Sequence, residues 1–276
     1  MKTVLVTGTS SGIGRAAVLK FNKEGWNVIA TMRAPENEAV LNQLDHILIV
    51  ALDVQKPETI AAAITAGIKK YGKIDAVVNN AGAAIFGVFE FATEDQINKI
   101  FDINVFGPMR VLRAILPYFR AQRSGTIINI TSQGGRVTFP TCSIYHATKF
   151  SLEGLTEAIS YELIPFGIKT KIIEPGSTAT KFVGAAQLTA NGDVPEYEQF
   201  INVGLGNWAK HDTMTSQPET IAETIFLAAN EDTDQLRYQV GKDTALYIDK
   251  MQNGDDQAYI DYMRKRFIPE YLSPKP

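Results

Sequence analysis

From Thr7 to Gly14 the chain reads TGTSSGIG, a stretch that two kinds of chemistry could use. Gly8-Thr9-Ser10-Ser11-Gly12 has the G-x-S-x-G spacing of a sharp turn that presents a nucleophilic serine. Gly8, Gly12 and Gly14 equally form a glycine turn through which backbone amides and a helix N-terminus approach a pyrophosphate. A nucleophile turn needs earlier strands and an oxyanion loop, yet here the glycines follow the first strand-like run, KTVLV. Strand, glycine turn, helix and next strand all fall within about thirty residues, the context of a dinucleotide site. Gly8 permits the tight turn, Gly12 the close approach of phosphate, and Gly14 the packing of helix on strand. The stretch therefore reads as a dinucleotide cradle, with Ser10, Ser11 and Ile13 carried on the same loop.

Such a cradle needs a sheet behind it. Short apolar, β-branched runs (TVLVT, NVIATM, HILIVAL, KIDAVVNNAG, GTIINITS, IKTKIIEPGS) alternate with longer helical patterns such as GIGRAAVLKFNKEG and SIYHATKFSLEGLTEAISYELIPF. A polar helix is expected around PENEAVLNQL. Strands apolar on both faces and separated by helices predict a doubly wound parallel α/β sheet, a single domain over 1–276. Regularity breaks over 177–217, an irregular insertion expected to border the substrate. A last strand in QLRYQV precedes an extension, 243–276, patterned as two amphipathic helices.

The 276 residues carry a formal charge of −3, which excludes the electrostatic pull of a nucleic-acid or anionic-membrane binder. The densest basic stretch, RVLRAILPYFRAQR, alternates with apolar residues at helical spacing and reads as a solvated or subunit-facing helix side. One cysteine, Cys142, excludes an internal disulfide, and the scattered His46, His146 and His211 form no metal-ligand spacing. No apolar run reaches membrane-spanning length and MKTVLVTG has no signal-peptide core, so a cytoplasmic protein is expected.

The glycine spacing is G-x-x-x-G-x-G, and with its neighbours it resembles the TGxxxGxG of the short-chain dehydrogenase/reductase family. Asn79-Asn80-Ala81-Gly82 is similar to that family's NNAG, and Asp53-Val54 to its adenine-contacting pair. Pro175-Gly176 with Thr180 is similar to its PGxxxT at the nicotinamide. The resemblance covers nearly the whole chain and implies a Rossmann-like fold. It also implies cofactor contacts from Asn80, Ala81 and Gly82, from Asp53 and Val54, and from Pro175, Gly176 and Thr180.

The family's Tyr-x-x-x-Lys occurs here three times, as Tyr145/Lys149, Tyr238/Lys242 and Tyr271/Lys275. Proline after Tyr271 opposes the helix that would align positions i and i+4, and Tyr238 reads as a strand end. Tyr145 opens a helical pattern and has Ser132 thirteen residues upstream at a strand end. A lysine ammonium about 5 Å away, at an effective dielectric near 20, favours phenolate by roughly 3 kcal/mol, about a hundredfold in acidity. Tyr145 is thus expected as general acid for carbonyl reduction and base for the reverse, with Lys149 lowering its pKa. Ser132 is expected to hydrogen-bond the substrate oxygen. The resemblance further implies that Lys149 holds the nicotinamide ribose and that Asn104 tethers a water reaching Lys149. Taken alone, Asn104 equally reads as a helix-interrupting residue satisfied by backbone.

An acidic residue usually ends the second strand where NAD is preferred; here Met32 stands there and Arg33 follows. A guanidinium suits a 2′-phosphate, so NADP(H) is expected over NAD(H), with Ser10 as a second phosphate contact. Gly134, Val137, Phe139, Cys142, Phe182 and Val183 are expected to line a moderately apolar pocket for a small-molecule carbonyl or alcohol substrate. The ending lacks the DGG strand with which many members build tetramers and, like VIATMR, resembles a hydroxysteroid-dehydrogenase-like branch. A homodimer through RVLRAILPYFRAQR and YHATKFSLEGL is expected instead. The leading function is NADPH-dependent carbonyl reduction. Its alternatives are an alcohol or hydroxysteroid dehydrogenase working oxidatively and a non-catalytic dinucleotide sensor.

Overall fold

In the computed structural model, β-branched runs associate into a parallel sheet because nearly every position along the central ones is buried on both faces. Residues 1–189, 193–211 and 214–272 are described, Ala209 and His211 by backbone alone. Lys275 and parts of the expected insertion (190–192 and 212–213) lie outside the described residues.

The strands in chain order are β1 (Thr3–Thr7), β2 (Asn27–Met32), β3 (Ile47–Ala51), β4 (Ala76–Asn79), β5 (Ile85–Phe86), β6 (Gly125–Ile130), β7 (Ile168–Pro175), β8 (Gln187–Leu188) and β9 (Arg237–Val240). Seven of those described form one sheet in the order β3-β2-β1-β4-β6-β7-β9, all parallel, while β5 and β8 pair separately. Helices α1 (Gly12–Lys23) and α7 (Pro218–Asn230) cover one face; α2 (Pro57–Tyr71), α4 (Gly107–Gln122) and α5 (Ser143–Leu163) cover the other. Strand order reverses between β1 and β4, and the carboxyl ends of strands at such a switch point open a crevice for ligands.

Two departures from the expected pattern matter. PENEAVLNQL is not a helix but two short turns, Pro35–Asn37 and Leu41–Gln43. The reason is Glu38, whose buried carboxylate takes the N–H groups of Val40 and Leu41 at 2.9 and 2.8 Å and pairs with Arg15 of α1 at 2.7 Å. The Arg15 hydrogen bond, helped by the Leu41 amide, lowers the Glu38 carboxyl to about 2. Between α3 (Glu94–Phe101) and α4 the chain stays helical but widens to a π-turn, Asp102–Phe106, which turns Asn104 inward.

Beyond β7 the described chain carries β8 and α6 (Pro195–His211) before α7. After β9 come the two helices expected of the extension, α8 (Lys242–Gln252) and α9 (Asp256–Phe267). Tyr247, Ile248, Met263 and Phe267 from these helices enclose Val137 in a small core of their own. The extension is therefore packed on the segment that follows β6.

Candidate active site

The glycine turn closes by contacts among backbone groups. Gly8 and Gly12 have φ of +70° and +58°, a region glycine enters without penalty. A Cβ on Gly14 would lie 2.3 Å from Gly8 O and 2.4 Å from Asn80 Nδ2, so only glycine lets α1 start this close to β1. Thr7 Oγ1 accepts the N–H groups of Asn80 and Ala81, both at 3.0 Å, and Asn80 Nδ2 donates to Thr7 O and Gly8 O at 2.9 and 3.0 Å. Asn80 thereby ties the β4 loop to the glycine loop.

The Ser11 side chain does not cap α1, and no acidic residue stands in the first turn. The positive end of the helix dipole is left for an anion. Thr180 closes the opposite wall, its Cγ2 facing Gly12, and Ser10 and Ser11 are exposed at the rim. This donor set fits a dinucleotide pyrophosphate. Met32 is buried in the core, whereas Arg33 is exposed and has no hydrogen-bond or ion-pair partner among the described residues. Val54 packs against Gly107, where a Cβ would come within 2.9 Å, and Asp53 accepts Gln55 N.

The groups expected to do chemistry meet at the ends of β6 and α5. Ser132, two residues beyond β6, caps the short turn Gln133–Gly135, its Oγ accepting Gly134 N at 3.0 Å. That use of the oxygen leaves the hydroxyl proton available to donate. Tyr145 and Lys149 share a face of α5, with Lys149 Nζ 5.8 Å from the phenol ring centroid. Burial pushes the Tyr145 phenol up to about 12, with the Ser132 hydrogen bond pulling the other way. Burial pushes the Lys149 ammonium down to about 8, with Glu153 holding it up.

The lowered tyrosine expected from the sequence is thus not what the structure has. Burial is the main cause, and the Lys149 Nζ turns instead to Ile130 O at 3.0 Å. Asn104 Oδ1 accepts Ala83 N and its Nδ2 donates to Ala83 O, both at 2.9 Å, and to Thr148 Oγ1 at 3.1 Å. It clamps the NNAG loop to the catalytic helix. A Cβ on Gly82 would be in ordinary contact with Asn104 Oδ1 at 3.4 Å and Lys149 Nζ at 3.9 Å, so both groups converge on the opening at Gly82.

Neither Tyr238 nor Tyr271 opens a helix as Tyr145 does. The Tyr238 hydroxyl lies 2.9 Å from Lys171 Nζ and against Glu231, while Lys242 opens α8. Tyr271 ends a short turn, Pro269–Tyr271.

The substrate side departs further from the sequence reading. Phe182 approaches Tyr145 ring to ring at 6.1 Å, and Val183 is exposed beside it. Phe86, absent from the expected lining, flanks Tyr145 at 6.2 Å from another side. Phe139 is stacked among His146, Tyr247 and Phe267. Two expected lining residues are corrected. Val137 is fully buried under α8 and α9 and lines nothing. Gly134 is buried against the His146 ring, which a Cβ would meet at 2.7 Å. Cys142 is half-buried, and burial pushes its thiol up to about 12, far from a thiolate nucleophile.

Two residues the sequence reading missed hold this side together. His146 Nδ1 donates to Gly134 O at 2.8 Å and Nε2 accepts Phe139 N at 2.9 Å, with burial pushing the imidazole down to about 4. A neutral ring with one tautomer therefore fastens both ends of the loop after β6. Asp243 of α8 accepts Ser177 N at 2.7 Å and Gln133 Nε2 at 3.0 Å. Gly176 makes room for it, since a Cβ there would come within 2.1 Å of the carboxylate. The G-x-D start of α8 was the available signal, but nothing local says what an aspartate faces.

Comparison with known proteins bears on the family and the fold. The sequence model of the short chain dehydrogenase family matches residues 2–191. An uncharacterised oxidoreductase of Schizosaccharomyces pombe is 37% identical over 235 residues, covering 85% of this chain and 99% of its own. The 3-ketodihydrosphingosine reductase of Bacteroides thetaiotaomicron is 35% identical over 239 residues, 86% of this chain and 87% of that one. The crystal structure of a short-chain dehydrogenase from Streptomyces avermitilis superposes with a TM-score of 0.81 at 34% identity, over 99% of this chain and 100% of that one.

Proposed function

The chain belongs to the short-chain dehydrogenase family, and from that premise we propose that it reduces an uncharged, moderately apolar ketone or aldehyde to the alcohol with NADPH. The observation that carries the reading is geometric: Tyr145 and Lys149 share a face of α5, with the rings of Phe86 and Phe182 beside the phenol, which can donate its proton to an oxygen gaining negative charge. The bound nicotinamide supplies the hydride. Tyr145 gives its proton to the carbonyl oxygen, and Ser132 donates a hydrogen bond to the same atom as charge develops. Lys149 binds the ribose hydroxyls and, as a cation, stabilises the phenolate left behind. Asn104 and Lys149, facing the opening at Gly82, hold the water through which the phenolate is reprotonated.

For the cofactor, an exposed Arg33 with no partner among the described residues supports a 2′-phosphate. The nearby Glu38, committed to Arg15, is not free to accept ribose hydroxyls. For the substrate, the rings of Phe86 and Phe182 beside Tyr145 support an apolar compound, and a 3-ketodihydrosphingosine reductase among the relatives is in keeping with a ketone. Phe182, within the expected insertion, flanks Tyr145, and α8 and α9 pack on the segment after β6; both support an insertion that borders the pocket and an extension that braces it. Exposed Phe106, Phe150, Tyr161 and Ile164 on and beside α4 and α5 support a homodimer. An unpaired Cys142 suits the cytoplasm.

The test is initial rates on a panel of apolar ketones and aldehydes with NADPH and NADH, for wild type and Tyr145→Phe. NADPH-preferring reduction lost in the variant is the expected result. Tight NADPH binding with no turnover in either direction overturns the proposal, and faster alcohol oxidation reverses its direction.

A further inference from the structure

Five charged side chains lie behind the catalytic face of α5. Glu153 stands one turn after Lys149 on the same face and is buried. Its Oε1 accepts Thr131 Oγ1 at 2.6 Å and its Oε2 accepts Arg237 Nε, from β9, at 3.0 Å. Arg237 also pairs with Glu157 of α5 and reaches Glu174 of β7 at 3.4 Å. Arg136, from the loop after β6, bonds Glu174 at 3.2 Å. Glu174 is fully buried, and its Oε2 has no partner among the described residues. Gly135 admits this packing, since a Cβ there would come within 2.8 Å of Glu153 Cγ.

Glu153 is therefore faced by Lys149 and Glu157 on its own helix, Thr131 just after β6, Arg136, Glu174 and Arg237. Lys149 in turn faces Tyr145 and Ile130 O. A buried ammonium with only neutral partners is costly, and a carboxylate one turn away is the compensation this fold offers.

We propose that Glu153 is a positioning residue for catalysis: its carboxylate, kept ionised by Arg237 and Thr131, keeps Lys149 an ammonium. Glu174 and Arg136 set how much of the Arg237 charge remains for Glu153. The inference rests on the reading of Tyr145 and Lys149 as the reacting pair. The shifts run in this sense: burial lowers Lys149 while Glu153 opposes, and burial raises Glu153 while Thr131 and Arg237 oppose. Glu174 is pushed up to about 7 by burial and then by Glu153. Because Lys149 loses its proton as pH rises through its pKa, removing the neighbouring anion starts that loss at lower pH. One charge at the roughly 6 Å spacing of side chains one helical turn apart, at an effective dielectric near 20, moves it by roughly one to two pH units.

The test uses the whole protein with 13Cε-labelled lysine, the Lys149 resonance being assigned by its absence in Lys149→Met. Glu153→Gln should titrate Lys149 about one to two pH units lower than wild type, and Glu153→Asp less than about half a unit lower. The alkaline limb of kcat/KM for ketone reduction should move with it. An unchanged Lys149 titration in Glu153→Gln overturns the proposal. If no ketone is turned over, the proposed function falls, while the resonance still decides the role of Glu153. If Glu153→Gln does not fold, Thr131→Val removes one donor from Glu153 and should give a smaller shift in the same direction; no shift there counts against the proposal.

Discussion

The two sides of the cleft are built on different principles. On the β1–β4 side the groups suited to a dinucleotide are backbone amides, and what shapes them is the lack of side chains at Gly8, Gly12 and Gly14. On the β6–α5 side the working groups are side chains, and the residues packed around them are held by partners farther along the chain. Phe139 is stacked on α8 and α9, Gln133 on Asp243, and Thr131 on Glu153, which in turn is paired with Arg237 of β9. A backbone site is damaged by adding atoms; a side-chain site is damaged by removing a distant partner.

That contrast can be broken or sharpened in four steps of decreasing size. Tyr145→Phe removes the proton donor itself and should lower kcat/KM by roughly a thousandfold. Its NADPH Kd, from fluorescence titration, should stay within about twofold, because the backbone side is untouched. Gly14→Ala does the reverse. A Cβ 2.3 Å from Gly8 O forces the loop apart, so NADPH Kd should rise by about a hundredfold at an overpacking cost of ~1–3 kcal/mol. An unchanged Kd would show that the loop is softer than its contacts imply.

Arg33→Asp tests the one side chain on the cofactor side expected to make a strong contact. Losing a charge-assisted pair of ~1.5–3 kcal/mol should cut the NADPH/NADH ratio of kcat/KM by roughly thirtyfold. Equal use of both cofactors by wild type would remove the basis for that role. His146→Ala is the smallest effect. It strands Phe139 N–H and Gly134 O, at ~1–3 kcal/mol. Ketone KM should rise about tenfold while NADPH Kd holds; if both move together, the two sides are not separable.

Legibility followed the same division. The cradle could be read because its determinants lie within eight residues and act through backbone geometry. Choosing Tyr145 among three Tyr-x-x-x-Lys matches needed only helix periodicity and an upstream serine. Val137 was misread because an apolar residue near a catalytic serine looks the same whether it lines a pocket or lies under a helix a hundred residues later. PENEAVLNQL was misread because its helical pattern is overridden by Glu38 capturing two backbone amides and Arg15.

By itself, the sequence determined the parallel doubly wound order of elements, and it singled out the glycine turn and Ser132, Tyr145 and Lys149 as candidates. These follow from short-range rules: side-chain period, glycine's access to positive φ, and one helical turn between tyrosine and lysine. The tertiary structure alone decided which charges are buried together and how acidic they are. It placed Arg237, Glu174 and Glu153 behind Lys149, and it raised Tyr145 where the lysine was expected to lower it. Desolvation and Coulomb interactions depend on what surrounds a group in space, and that is known only once β6, β7, β9 and α5 have packed.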